Sequence, residues 1–322
     1  MCGWRRRGTA HRLQALRTRT RAARLLSGPG CSSEGRINIK RFIFDMDETK
    51  VMQNLRQDIV VPMRTSEHGA PLFAFHPLSG MGFCYSPLAD RLGNTFSFYC
   101  VQAIGTDGER QPLDCIEAMA VCYAAEIRQL IVKRERPLSL LGWSFGGVVA
   151  LQTAMCLAKE GFNIATVFLL DSHAVFRTPN HRTPGDAEVV WLFAWHLSKL
   201  AGLELDLTPE RFLGKRLNEQ AVLIESRLRP VIEMSDFGSI RDLLRVFKAN
   251  FQALHRYSLK PYEGRVVYFK AGLSSSIATL QSQPLFDYVS DLETHEIAAD
   301  HFQLLNEPYV GQIAARIQPP LE

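Results

Sequence analysis

The feature that most limits what this 322-residue chain can fold into is the stretch from Leu138 to Ala150. There an apolar run ends in Gly142-Trp143-Ser144-Phe145-Gly146, and a small, apolar helical pattern follows at once. An apolar run, a Gly-x-Ser-x-Gly turn and a helix, in that order, describe a sharp strand-to-helix turn. Such a turn strains the serine backbone, lifts Oγ above the sheet and leaves no room for a side chain two positions either side. The three fixed positions alone match by chance in about one chain of this length in ten. The flanks supply the weight: Ala150, Leu151, Ala154, Met155 and Ala158 continue one helical face behind the turn. Ser144 is the candidate nucleophile.

Around this centre the pattern alternates. Asp58–Met63 and Pro71–Phe75 read as strands joined by the polar turn Thr65–Ala70, Tyr85–Leu92 as a helix and Phe96–Val101 as a strand. Ile116–Lys133 carries a helical apolar stripe, with Cys115 and Cys122 assigned to its packing face. Ala165–Leu170 is an unbroken run of buried-strand length that stops at Asp171-Ser172-His173; Gly264–Ala271 and Thr294–Ala298 are the later strands. Strands alternating with helices predict the α/β class, a mostly parallel sheet with helices on both faces, and ligands bound beyond the carboxyl ends of the strands. Between Thr178 and Tyr257 there is no strand pattern. Helical patterns near 186–201, 209–234 and 239–257, rich in Trp, Phe and Leu, form a helical insertion at about 178–258, read as a lid over one end of the sheet within a domain spanning 55–322. Met81, Trp191 and Trp195 are assigned to packing.

Charge is unevenly spread. Residues 1–41 hold 11 of the 37 bases and a single acid, Glu34, so the remaining 281 residues carry 26 bases against 32 acids, a net of −6. A mildly acidic body argues against a general nucleic-acid role. The first 50 residues read as a basic extension; their Arg-rich, acid-poor character fits an organelle transit peptide and, equally, an extension from an upstream start codon. Within it, Asp45-Met46-Asp47-Glu48-Thr49 resembles the aspartyl motif of haloacid-dehalogenase-type phosphatases, but no later Asp-Asp pair completes that chemistry and Glu48 stands where Gly is usual. Seven cysteines without a C-x-x-C pair or a secretory signal predict free thiols, a cytoplasmic location and neither disulfides nor a zinc site. No apolar run reaches the roughly 20 residues of a membrane span.

A serine hydroxyl needs a histidine to take its proton and an acid to hold that histidine's tautomer. Of nine histidines, His301 is assigned as the base, because it lies in a short loop after the last strand and before a C-terminal helix. His173 and His76 fall at the same sheet end but too close to strand termini to reach Oγ, so they are given surface or supporting roles. His11, His68, His181, His196, His255 and His295 are read as incidental. Asp171, at a strand's carboxyl end, is chosen as the acid over Asp300, whose position next to His301 points it away. Oxyanion donors are assigned to the backbone N–H of Phe145 and of Leu78. The chain order Ser, Asp, His is that of α/β-hydrolases.

These segments together resemble the chain-releasing thioesterase domains of nonribosomal peptide and polyketide synthetases. The likeness runs from about Ile59 to Ile317, in Pro71-Leu72-Phe73-Ala74-Phe75-His76-Pro77, Ala103-Ile104-Gly105-Thr106-Asp107-Gly108, Gly142-Trp143-Ser144-Phe145-Gly146-Gly147, Leu170-Asp171-Ser172 and Asp300-His301-Phe302. The resemblance implies an acid after the strand next to the nucleophile's, as at Asp171. Editing and fatty-acid-releasing relatives carry it one strand later, where Lys270–Gln283 has neither Asp nor Glu. It further implies a peptidyl or acyl substrate, held as a thioester on the phosphopantetheine arm of an acyl or peptidyl carrier protein or synthetase module, with no other cofactor. Release is then by hydrolysis or cyclisation; the alternatives are an editing thioesterase, a general esterase or a binding protein of the same fold. Two departures stand out. Ser79-Gly80 follows His-Pro-x where many members have Gly-Gly, and no arm-attachment site precedes the domain, so the expectation is that the chain either acts on a carrier in trans or is a fragment of a synthetase.

Overall fold

The computed structural model describes residues 59–131, 136–175, 183–200, 202–228, 239–273, 282–283 and 287–320. The basic extension, the Asp45–Thr49 motif, His11 and His181 lie outside these residues. In chain order the strands are β1 (Val60–Arg64), β2 (Ala70–Phe75), β3 (Phe96–Val101), β4 (Leu138–Trp143), β5 (Ile164–Leu170), β6 (Ala174–Val175), β7 (Tyr262–Ala271), β8 (Ser282–Gln283) and β9 (Val289–Ile297). The α-helices are α1 (Ser86–Leu92), α2 (Ile116–Leu130), α3 (Phe145–Lys159), α4 (Asp186–Leu200), α5 (Leu217–Leu228), α6 (Ile240–Arg256) and α7 (Tyr309–Ala314).

Among the described residues one sheet runs in the order β1-β3-β2-β4-β5-β7-β9, parallel except where β1 meets β3. The turn from β1 to β2 therefore closes no hairpin: β3 lies between them. Strands buried on both faces need apolar residues at consecutive positions, and the two-residue period divides them between two cores. Phe73, Phe75, Leu138, Leu140, Val167 and Leu169 pack on Met119, Tyr123 and Ile127 of α2 and on Val148 and Leu151 of α3. Leu72, Ala74, Leu141, Trp143, Phe168 and Leu170 face the opposite way, onto Leu88 and Leu92 of α1 and Val310 and Ile313 of α7. Each fully buried side chain of this size stabilises the fold by roughly 1.5–3 kcal/mol. Cys122 is half-buried against the first core, but Cys115 is exposed at the N-cap of α2, bonding the Glu117 carboxylate rather than packing.

The three helices of the insertion have a core of their own. Phe193 and Ala194 of α4, Ile224 and Leu228 of α5, and Leu243, Leu244, Phe247 and Phe251 of α6 make it up, with Met81 joining from the loop after β2. The C-terminal turn of α6 leaves this cluster and sets Ala253 and Leu254 into the first sheet core. That turn, and the loop after β2, fix the insertion to the sheet end where the site lies. The short pair β6–β8, invisible as a strand pattern, forms a separate antiparallel ribbon there.

Candidate active site

Ser144 joins β4 to α3 with φ 57° and ψ −123°, a region that costs a non-glycine residue on the order of 1–3 kcal/mol. The glycines around it are demanded by backbone approach. A Cβ on Gly142 would run into the Gly146 carbonyl, and one on Gly146 into the Phe75 carbonyl at the end of β2. Gly147 lies against the Ser172 side chain, whose Oγ–H reaches the Gly142 carbonyl at 3.2 Å. Gly-Trp-Ser-Phe-Gly-Gly and Leu-Asp-Ser are thus two halves of one packed contact.

The Ser144 N–H donates to the Leu170 carbonyl at 2.9 Å, which pins the turn to the end of β5. Asp171 follows directly, also at positive φ (42°), with its N–H on the Phe269 carbonyl of β7 at 2.7 Å. Its carboxylate is 2% exposed. Oδ1 accepts the Ala271 N–H at 3.1 Å, and Oδ2 lies 2.7 Å from His301 Nδ1. An ionised carboxylate only accepts hydrogen bonds, so Nδ1 carries the proton and Nε2 is left with its lone pair. His173 Nε2 approaches Oδ1 at 3.4 Å, but its side chain is more than a third exposed, so the short, buried His301 bond is the stronger contact. Burial alone would raise the Asp171 pKa; hydrogen bonds from His173 and His301, and attraction to those rings when protonated, outweigh it and hold the carboxyl well below the ordinary carboxylate range.

His301 is fixed from behind. Trp143 Nε1–H donates to its carbonyl at 3.1 Å and the two rings lie 4.9 Å apart, so the imidazole rests on the residue preceding Ser144. Trp143 is itself held by the Tyr85 hydroxyl, which accepts the Trp143 backbone N–H and donates to the Phe75 carbonyl. Asp300 is turned away, as expected: Oδ1 caps the N–H groups of Phe302 and Gln303 at 2.9 Å each. Leu78, in the loop after β2, and Phe145, at the positive N-terminal end of α3, have backbone N–H groups with no backbone acceptor among the described residues.

Two histidines read as incidental are buried instead. His255 is 7% exposed on α6, its Nδ1 on the Phe251 carbonyl. His196 on α4 is 5% exposed, 6.0 Å from the Trp143 ring and 5.3 Å from Phe302. Its Nε2 has no hydrogen-bond partner among the described residues, and burial, with the charge of His301, pushes its pKa down to about 3. The signal was available: His196 sits three residues after Phe193 on the buried stripe of α4. Among the described residues no three His, Cys, Asp or Glu side chains converge as a metal site, and no helix is long and apolar enough to cross a membrane.

Residues 70–320 match the thioesterase domain family. A dimodular nonribosomal peptide synthase of Bacillus subtilis (strain 168) is 31% identical over 215 residues, 66% of this chain but 9% of that synthase. The chain superposes on a four-domain nonribosomal peptide synthetase bound to AMP and glycine with a TM-score of 0.71, at 22% identity over 83% of this chain and 21% of that one. It also superposes on the Vlm2 thioesterase domain with a TM-score of 0.56, at 19% identity over 80% of this chain and 95% of that one. The structural likenesses establish the fold, and the family match covers most of the chain. A strained serine after a parallel strand, an aspartate just past the end of the next strand and a histidine bonded to it accordingly sit in a chain of α/β-hydrolase fold that belongs to the thioesterase domain family, enzymes that act on thioesters.

Proposed function

We propose that this chain releases an acyl or peptidyl group from a carrier-protein phosphopantetheine thioester through an ester on Ser144. The observation that carries this reading is the 2.7 Å bond from His301 Nδ1 to buried Asp171, beside a serine held at positive φ. His301 Nε2 takes the Ser144 proton as Oγ attacks the thioester carbonyl. The negative charge on the former carbonyl oxygen falls toward the N–H groups of Phe145 and Leu78, each such donor being worth roughly 3–4 kcal/mol in comparable sites. The C–S bond then breaks and the proton on His301 passes to the departing pantetheine sulfur. Water, or an amine or hydroxyl of the chain itself, gives its proton to His301 and attacks the ester; Oγ leaves and recovers the proton. No bound cofactor is needed, since the arm arrives with the substrate.

The partner is an acyl or peptidyl carrier protein or a synthetase module, supported by the names of the similar synthetases. The insertion at about 178–258, in a domain of 55–322, acts as the lid, and residues 1–50 are a basic N-terminal extension by their composition. The odd cysteine count without a C-x-x-C pair supports a reducing compartment, the cytoplasm.

The test is intact-protein mass spectrometry after mixing the protein, and Ser144→Ala, with acyl thioesters on pantetheine and on a holo carrier protein, and with simple esters. We expect one acyl adduct on the parent alone, formed fastest from the carrier, with turnover of the Ser144→Ala protein down by about 10⁶-fold. Loading from simple esters alone would replace this reading with a general esterase, and no adduct from any donor would end it.

A further inference from the structure

The loop after β2 is held by groups that the reaction sequence above does not use. Pro77 and Leu78 share a peptide whose N–H is the Leu78 oxyanion donor of the proposed function, on which this inference rests. In a planar trans peptide the C=O and N–H point in opposite directions, so whatever fixes the Pro77 carbonyl aims the Leu78 N–H. Two donors fix it: the Gly80 N–H at 2.9 Å and the His76 ring, through Nδ1, at 2.9 Å. A carbonyl only accepts, so Nδ1 bears the proton. Nε2 then accepts from the Tyr123 hydroxyl of α2, also at 2.9 Å. His76 is fully buried, and that burial pushes its pKa down to about 4, which keeps the ring in this neutral form.

The next peptide is held from the other side. Asn250, in the fourth turn of α6 and 1% exposed, donates through Nδ2 to the Leu78 carbonyl at 3.0 Å. Four residues earlier, one turn back along the helix, Val246 closes on the loop so tightly that a Cβ on Gly80 would lie 2.5 Å from Cγ1. This contact accounts for the glycine retained in Ser79-Gly80. A helix of the insertion thus grips the loop at two points, and the sheet's own histidine grips it at a third.

We propose that Asn250 and His76 are positioning residues that aim the Leu78 N–H at the reacting carbonyl, making α6 part of the catalytic frame rather than of a freely moving cover. Neither touches the substrate. Their removal therefore costs stabilisation of the tetrahedral intermediate and leaves substrate binding intact.

The experiment compares the parent with Asn250→Leu, His76→Leu and His76→Asn, the last keeping an N–H donor near the Nδ1 position. Each is assayed on an acyl-pantetheine thioester, on a trifluoromethyl-ketone analogue that forms a tetrahedral adduct with serine, and on a non-cleavable thioether analogue. We expect Asn250→Leu and His76→Leu to lower kcat by about 10- to 100-fold, short of the 10²- to 10³-fold for outright loss of a donor. KM and thioether affinity should stay within about twofold, ketone affinity should fall in step with kcat, and His76→Asn should recover most of the loss. Unchanged kcat, equal loss of thioether and ketone affinity, or a His76→Asn protein as impaired as His76→Leu would overturn the proposal. Should His76→Leu fail to fold, the Asn250→Leu arm decides alone. Undiminished turnover by Ser144→Ala in the same assay would instead defeat the underlying functional reading.

Discussion

The sheet end that carries Ser144, Asp171 and His301 and the helical insertion packed on it are built under different constraints. At the sheet end nearly every atom is specified twice. Gly142, Gly146 and Gly147 are each closed in by another backbone or side chain, two residues stand at positive φ, and the Asp171 carboxylate has a partner on each oxygen. The insertion is held by a cluster of Leu, Ile and Phe, in which shape can vary provided volume is kept. It meets the sheet end through Asn250 and Val246 on the loop after β2, Met81 of that loop, His196 over Trp143, Trp195 against Phe302, and Ala253 and Leu254 of α6 in the first sheet core. The candidate site is thereby fixed at the strand ends and braced by α6, while the rest of the insertion core tolerates change in shape.

The hardest test of that contrast is Asp171→Asn. It keeps the shape of the site but removes the charge that sets the His301 tautomer, and should lower kcat by about 10⁴-fold in steady-state thioester hydrolysis with little change in KM. A loss below tenfold would mean that Asp171 is not the orienting acid.

The second test sets one region against the other by stability. Gly147→Ala forces a methyl into Ser172 and should cost about 1–3 kcal/mol together with a loss of acylation, since the same shift moves the turn at Ser144. Leu244→Ala in the insertion core should cost more, about 2–5 kcal/mol by urea denaturation, yet leave the acylation rate of the folded protein unchanged. A Leu244→Ala protein that loses acylation in proportion to stability would erase the distinction.

The third uses pH. His76 on the sheet and His196 on the insertion are kept neutral by burial, with pKa values of about 4 and about 3 against an ordinary 6.5. As pH falls below 6.5 the unfolded chain takes up both protons and the native state does not, so stability declines from pH 6.5 down to 4, by on the order of 3 kcal/mol for His76 alone. Asp171 acts in the same direction but in a lower pH window. Its depressed pKa contributes stability that is whole above its ordinary 3.8 and is lost as pH falls below that, so the two windows separate. Urea midpoints at pH 7, 5.5 and 4.5 that do not move would contradict buried neutral imidazoles.

The smallest expected effect is His196→Leu. Replacing an imidazole whose buried Nε2 lacks a partner with an apolar group should raise unfolding free energy by about 1 kcal/mol in thermal or urea melts. A drop of similar size would show that the ring is satisfied by something bound.

Much of this was legible from residue order. Alternation of strand and helix, runs buried on both faces, and Gly-x-Ser-x-Gly between an apolar run and a small-residue helix are local patterns with local causes, and they placed the sheet strands, the turn at Ser144 and the first and third inserted helices to within about five residues, whereas the second helix, expected from 209, begins only at Leu217. The Ser, Asp, His order was equally readable, because each residue ends or follows a strand at the same edge. Pairing was not. That β3 separates β1 from β2 depends on which edges meet, and β6–β8 is two residues long on each side, too short for any period. Nor was the fate of individual polar side chains. Cys115 falls just outside its helix, His196 is buried by rings from three distant segments, and Asn250 finds the Leu78 carbonyl 172 residues away. Sequence by itself determined the elements and the chemical groups at their ends, because propensity and period act over a few residues. Only the tertiary structure decided which buried donor meets which acceptor, because such pairs are chosen by packing between segments remote in the chain.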